Sequence, residues 1–455
     1  MINVDCFKAY DIRGKINVDI NRHLAYRVGR AVAQHFSAEY VVVGFDARET
    51  SPEFASALAE GIQDSGSNVI DIGLAGTEEM YWAVTKFGAC AGIEVTASHN
   101  PIEYNGMKIV KAGSKPLDTK ADFEEIKELT KKGEWSKACT RGKVLDKKEQ
   151  ARCAYVKKLM SFVDVNLLRP LRIVINSGNG AAGPTFDAIS KSLSEINAPL
   201  QFIKVNHTPD HRFPNGVPNP SLQQNHAATG NVVKEVDADF GVAFDGDFDR
   251  CFFFDENGKF IQGEYIVGLL ASYFIEKEQK ARIVHDPRVI WNTQDIVKSN
   301  GGIPVQSKTG HSFMKDMMRK NNAIYGGEMS AHHYFREFSY CDSGMIPWIL
   351  LAEYLSLSSK PLGELLKCRI NAFPSSGEIN FTVNDPINKL KLVKENYKNK
   401  GCFLDEDDGL SVGFPDWRFN LRLSNTESLL RLNLETRGDE RLLKSKLQEV
   451  QSLFL

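Results

Sequence analysis

Ala89-Cys90-Ala91-Gly92-Ile93-Glu94-Val95-Thr96-Ala97-Ser98-His99-Asn100-Pro101 is the stretch on which the reading of the fold turns. The run from Ala89 to Val95 reads as a buried strand. Its stop on Thr96-Ala97-Ser98 puts a hydroxyl at the carboxyl end of a sheet, where open α/β folds bind ligands. Asn100-Pro101 forces a turn, Asn105-Gly106 predicts a second, and Lys108 returns toward the same edge. Ser98 is therefore expected on a loop with the His99 imidazole beside it. A serine standing alone would read as a polar cap on a strand end. Three further loops downstream point away from that.

The pattern around Ser98 recurs. Tyr40 to Asp46 reads as a buried strand ending in an acid. Ser51-Pro52 then opens a helix carrying Phe54, Leu58 and Ile62 at helical spacing, and Asn68 to Gly73 reads as the next strand. Downstream, Leu171 to Asn176, a turn with Gly178, Gly180 and Gly183, a helix and Leu200 to Val205 repeat this order. A strand at Asp239 to Phe244 follows and ends on Asp245-Gly246-Asp247-Phe248-Asp249-Arg250. A third copy opens at Ala281 to Asp286 and ends on Gly327-Glu328-Met329-Ser330-Ala331-His332-His333. Strands separated by helices imply parallel or mixed sheets. Beyond about Arg369 the Gly-rich turns stop, and Trp417, Phe419, Leu421, Leu423 and then Leu430, Leu432, Leu434 alternate with polar residues. The expected fold is thus three similar mixed-sheet α/β domains, 1–150, 151–257 and 258–368, plus a smaller α+β domain, 369–455, around a central cleft. At the amino end, Phe7 to Gly14 alternates like a strand. There Tyr10 and Arg13 suit either a ligand contact or the polar tips of an edge strand.

Bulk properties exclude several classes. The 455 residues are 42% hydrophobic and 25% charged, with a formal net charge of -2, so no basic field points to nucleic acid or membrane. The eight cysteines are scattered without a Cys-x-x-Cys, a reduced cytosolic pattern without zinc or disulfide frame. No segment resembles a signal peptide or a membrane span, and a cytoplasmic location is expected.

Asp245, Asp247 and Asp249 are close enough to repel unless a cation sits among them, and hard oxygen donors select Mg²⁺ or Ca²⁺. An EF-hand would need Gly where Arg250 stands, and Cys251-Phe252-Phe253-Phe254 reads as strand. An Asp-x-Asp phosphatase usually carries Thr or Val in place of Asp249. Arg422, Ser424, Asn425, Thr426 and Arg431 share one hairpin that suits a dianionic phosphate. Glu328 and Ser330 offer partners for sugar hydroxyls. Arg288, Lys308 and His311 lie on other loops of the third module, His311 suiting either a structural or a catalytic role. A presented serine beside a hard-cation site fits phosphoryl transfer.

These four loops resemble those of the α-D-phosphohexomutase superfamily: Thr96-Ala97-Ser98-His99-Asn100-Pro101, Asp245 to Arg250, Gly327-Glu328-Met329-Ser330, and Arg422-Leu423-Ser424-Asn425-Thr426. The likeness runs from Lys8 to the last strand, with Ala331 replacing a frequent Gly and Ser428 a common Pro. The resemblance implies that Ser98 carries a phosphoryl group and, with Asp245, Asp247 and Asp249, binds Mg²⁺. It implies that Lys108, His311 and Arg13 serve acid/base or charge-stabilising roles. Tyr10, His99, Arg250, Arg288, Lys308, Glu328, Ser330, His332, Arg422, Ser424, Asn425, Thr426 and Arg431 would contact substrate. The expected reaction exchanges phosphate between the 1- and 6-oxygens of mannose through a hexose 1,6-bisphosphate, which also serves as primer, in a monomer or homodimer. Glucose specificity, dual specificity and a metal-dependent sugar phosphatase are the alternatives.

Overall fold

The computed structural model describes all residues except Met1, Ala9, Ser359 and 424–428. The chain forms two compact units. One comprises residues 1–260 with 337–359, the other 261–336 with 360–455.

In the first unit, β1 (Ile12–Lys15), β2 (Tyr40–Phe45), β3 (Asn68–Leu74), β4 (Ala91–Val95), β5 (Tyr104–Lys111) and β6 (Val144–Asp146) form a sheet in the order β1-β5-β4-β2-β3-β6. β2 runs parallel to β3 and β4, while β5 folds back antiparallel on β4. In a second sheet β7 (Leu171–Asn176), β8 (Leu200–Val205), β9 (Phe240–Phe244) and β10 (Cys251–Phe254) follow the order β10-β9-β7-β8, with β10 antiparallel to β9 and the short strand Phe260–Ile261 beyond β10. Cys251–Phe254 is strand, as expected, which removes the calcium-loop reading. The helix Met345–Ser358 also belongs to this unit, and its Trp348 ring packs 5.7 Å from both Phe186 and Phe202.

The second unit repeats the order with β11 (Arg282–His285), β12 (Ile303–Gln306), β13 (Tyr325–Gly327) and β14 (His333–Phe335): β14-β13-β11-β12. The strands β4, β9 and β13 therefore hold the same place in their sheets. At their carboxyl ends stand the loops of Ser98, Asp245 and Glu328. The last sheet is antiparallel throughout, with β15 (Ser375–Thr382), β16 (Phe403–Asp405), β17 (Leu410–Gly413), β18 (Trp417–Leu423) and β19 (Leu429–Thr436) in the order β15-β19-β18-β17-β16. One face of it packs Leu410, Val412, Phe419, Leu421, Leu432 and Leu434 against Val393, Tyr397 and Val450 of its helices.

Two local expectations fail. Asn105-Gly106 is not a turn but part of β5. Its Asn105 amide donates to Thr50 and Ser51, and a Cβ on Gly106 would lie 2.3 Å from the Ile12 carbonyl oxygen. Glycine is there for close strand approach. At the amino end, Phe7 and Ile12 only bridge across a turn, and Gly14 lies inside β1 instead of ending it. Among the described residues no helix is long and apolar enough to cross a membrane.

Candidate functional site

In the first unit the serine loop is built from behind by Arg48. Its guanidinium donates to the carbonyls of Ser98 (3.0 Å), Pro101 (2.9 Å) and Tyr104 (3.0 Å), and also to that of Asn100. The Ser98 N–H donates to Thr96 Oγ1 at 2.8 Å, and Ser98 sits at φ +48°, a left-handed conformation that costs a non-glycine residue about 1 kcal/mol or more. The aspartate loop reaches it because residue 246 is glycine: a Cβ there would lie 2.4 Å from the Ser98 carbonyl oxygen.

Ser98 Oγ donates to Asp245 Oδ2 at 2.8 Å and lies 3.0 Å from His99 Nδ1. Arg250 donates its Nε–H to the same Asp245 oxygen at 2.7 Å and its Nη2–H to His99 Nδ1. A guanidinium can only donate, so Nδ1 is the acceptor, the neutral ring keeps its proton on Nε2, and the Ser98 proton is directed to Asp245. Desolvation and the positive charges of Arg250 and Arg13 push His99 well below its ordinary range. With 41% of that side chain exposed, the guanidiniums are the firmer cause.

Asp247 accepts from Thr77 Oγ1 (2.6 Å) and Lys108 Nζ (2.7 Å), and the same ammonium bonds Asp249. Burial opposes the charge on Lys108, but Asp247 and Asp249 outweigh it and raise the ammonium above its usual range. Burial likewise opposes ionisation of Asp247, and Lys108, Thr77 and Arg13 overcome it to hold the carboxylate below the ordinary value. Arg13 is aimed by Asn100 Oδ1 and Asp11 Oδ2, both at 2.8 Å, and Tyr10 is half-buried just before β1.

One oxygen from each of Asp245, Asp247 and Asp249 lies within 4.8 Å of the others, and all three residues are buried. Asp247 Oδ1 is buried with no hydrogen-bond partner. An all-oxygen donor set with an unpartnered buried carboxylate oxygen fits a hard divalent cation, as the sequence leads one to expect.

In the second unit Glu328 is buried, accepting from Tyr334 OH (2.6 Å) and the Gly310 N–H (3.0 Å). Arg288 is clamped by Asp286 Oδ2 at 2.6 Å and donates to Ser330 Oγ at 3.0 Å. Burial opposes the charge of Arg288, while Asp286, Glu378 and Glu328 together raise it. Arg422 and Arg431 face each other across β18 and β19. His311 opens the helix His311–Asn321, Lys308 is exposed after β12, and the partly exposed His332 ring stacks on Tyr334 with centroids 6.1 Å apart. Ser424, Asn425 and Thr426 lie outside the described residues.

The structure thus gathers Arg13, Ser98, His99, Lys108, the three aspartates and Arg250 in one unit. In the other it joins Arg288 to Glu328 and Ser330, and places Arg422 opposite Arg431. Sequence reasoning passed over Arg48, Thr77, Asn100, Asp286 and Glu378. For Arg48 and Asp286 a signal existed, since each follows the first long strand of its α/β module.

The chain is similar along its whole length to known proteins. Profiles described as phosphoglucomutase/phosphomannomutase alpha/beta/alpha domains I, II and III match residues 5–137, 153–258 and 262–373, and the corresponding C-terminal domain matches 378–452. A phosphomannomutase of Escherichia coli (strain K12) is 50% identical over 454 residues, covering 100% of both chains. One from Vibrio cholerae is 51% identical over 460 residues, covering 100% of this chain and 99% of its own. A crystal structure of a phosphoglucomutase/phosphomannomutase family protein from Burkholderia thailandensis superposes with a TM-score of 0.87 at 29% identity, covering 100% of this chain and 97% of that one.

Proposed function

The chain belongs to the phosphoglucomutase/phosphomannomutase family, and on that footing we propose that it is an isomerase interconverting mannose 1-phosphate and mannose 6-phosphate. The observation that carries the mutase reading is the Ser98 hydroxyl donating to Asp245 inside a buried three-carboxylate cluster. Full-length relatives named phosphomannomutase support mannose.

In this proposal phospho-Ser98 gives its phosphoryl to the free hydroxyl of a bound hexose phosphate. A hexose 1,6-bisphosphate forms, turns over and returns its other phosphoryl to Ser98. Asp245, Asp247, Asp249 and the Ser98 group would hold Mg²⁺, which would supply charge neutralisation for the phosphoryl transfer. Lys108, kept charged by its two carboxylates, stabilises the same charge or donates a proton. Asp245 already accepts the Ser98 hydroxyl proton as a hydrogen bond, so the oxygen is poised as nucleophile for the return step. Arg422, Ser424, Asn425, Thr426 and Arg431 grip the non-transferring phosphate, and Glu328 and Ser330 hold sugar hydroxyls. Arg13 and His311 join Lys108 as candidates for acid/base or charge-stabilising roles, and Tyr10, His99, Arg250, Arg288, Lys308 and His332 are candidates for substrate contact. The domain ends near 150, 257 and 368, a cytoplasmic location and a role in supplying mannose 1-phosphate for GDP-mannose belong to the same reading.

A coupled assay comparing mannose 1-phosphate with glucose 1-phosphate, primed with a hexose 1,6-bisphosphate, tests it. A higher kcat/KM for mannose 1-phosphate is expected. Preference for glucose would replace the mannose assignment, and net release of inorganic phosphate would replace the mutase.

A further inference from the structure

Arg422 and Arg431 stand directly opposite each other on neighbouring antiparallel strands, an arrangement of like charges that destabilises a sheet unless an anion lies between them. Such an anion is built into the fold. Glu378, on the neighbouring strand β15, accepts from Arg422 Nη2 at 2.7 Å, and its other oxygen lies 3.6 Å from Arg431 Nη1. Arg288 reaches it as well, at 3.4 Å. Three guanidiniums thus converge on one carboxylate.

The aim of Glu378 is set by its backbone. The register of β15 against β19 shifts between Ser375 and Glu378, and Gly377 within that bulge sits at φ +65°. A bulge re-aims the side chain that follows it. Burial opposes the charge on Glu378, but the three arginines hold it down to about 2. Burial and the neighbouring Arg288 pull Arg422 below its ordinary value, with Glu378 acting against them. The cluster is therefore a strained cationic cup with an internal counter-ion. Arg422 has one Nη on that counter-ion, while its Nε is buried without a partner. A phosphate gripped by two prongs of this fork must compete for the prong that Glu378 holds.

We propose that Glu378 is a resident competitor for the phosphate-binding arginines, a positioning residue that keeps the guanidiniums assembled when no phosphate is bound and weakens their grip when one is. This rests on the proposed role of Arg422 and Arg431 in binding the non-transferring phosphate. A grip weakened in this way suits a mutase, because a bisphosphate that turns over between the two transfers must let go of the cup and re-enter it. Too tight a hold would trap one orientation.

The test compares wild type, Glu378→Gln, Glu378→Asp and Arg422→Gln as full-length proteins. The readouts are inhibition by inorganic phosphate, competitive with mannose 1-phosphate, and the separate kcat and KM for mannose 1-phosphate. Glu378→Gln should lower the inhibition constant for phosphate and the KM by about tenfold, equivalent to about 1.4 kcal/mol. It should also lower kcat, since release becomes slower, and Glu378→Asp should restore both parameters toward wild type. A Glu378→Gln protein that binds phosphate equally or more weakly overturns the competitor role. An Arg422→Gln protein with undiminished phosphate binding overturns the phosphate site beneath it, so the two failures are distinguishable. Circular dichroism confirms that the Gln variant folds; should it not, Glu378→Asp takes its place, because its shorter carboxylate holds Arg422 less well and should lower the inhibition constant in part, and an unchanged or raised constant would overturn the competitor role.

Discussion

Gly246→Ala places one methyl between two loops that the reaction needs in contact. The added carbon would lie 2.4 Å from the Ser98 carbonyl oxygen, whereas an ordinary contact begins at 3.4 Å, so the loops must part by 1.0 Å (3.4 − 2.4). Neither side yields freely. The Ser98 carbonyl is held by Arg48 at 3.0 Å, and the Gly246 carbonyl accepts from the Ala181 N–H at 3.0 Å. Forcing them apart should cost about 1–3 kcal/mol, as overpacking a filled site does. The same displacement stretches the Ser98–Asp245 bond from 2.8 Å beyond hydrogen-bonding range. A misplacement of about 1 Å at reacting groups costs on the order of 100-fold in rate. Initial rates at saturating mannose 1-phosphate and primer should therefore fall to about 1% of wild type, with Tm lower by a few degrees. Gly413→Ala is the control, because its nearest neighbours would be 3.7 and 3.8 Å away and both readings should stay unchanged. A Gly246→Ala enzyme with more than half the wild-type kcat would refute the claim that this backbone approach sets the reacting geometry.

Lys108→Met removes the ammonium between Asp247 and Asp249 and leaves two buried carboxylates facing each other. Stability without added metal should drop by about 3 kcal/mol and recover in part with Mg²⁺, and a Tm indifferent to both changes would contradict the pairing. His333 is fully buried with its Nδ1 2.7 Å from Tyr325 OH, and burial pushes its imidazole down from 6.5 to about 3. The unfolded chain takes up this proton near 6.5 while the folded chain does not until about 3, so stability is whole above pH 6.5 and is lost as pH falls between those values. From pH 6.5 to 5 that is about 2 kcal/mol. Calorimetry at pH 5 should show His333→Gln unfolding with about one proton less uptake than wild type, and equal uptake would deny the buried neutral histidine. Chelation with EDTA should abolish turnover and Mg²⁺ restore it; full activity in EDTA would remove the metal from the account.

Much of this arrangement was legible from periodicity. Ala91–Val95, Phe240–Phe244 and Tyr325–Gly327 are short runs that end on polar loops, and all three prove to occupy the same position in their sheets. The alternation from Trp417 to Leu434 reported a half-buried antiparallel sheet for the same reason. Asn105-Gly106 misled because a turn dipeptide is a local signal, whereas this glycine answers a non-local demand from the Ile12 and Thr96 carbonyls. Thr77 reaches Asp247 across 170 residues and Arg422 reaches Glu378 across 44. Such partners leave no spacing pattern, so the chemistry-bearing loops could be read while Thr77 and Glu378 could not.

The most direct measurement follows the phosphoryl group itself. Enzyme incubated with hexose 1,6-bisphosphate labelled in both phosphates should carry label on the peptide containing Ser98 and pass it to unlabelled mannose 1-phosphate, while Ser98→Ala neither takes up label nor turns over. Label on any other residue, or a Ser98→Ala enzyme that still interconverts the two mannose phosphates, would contradict the account.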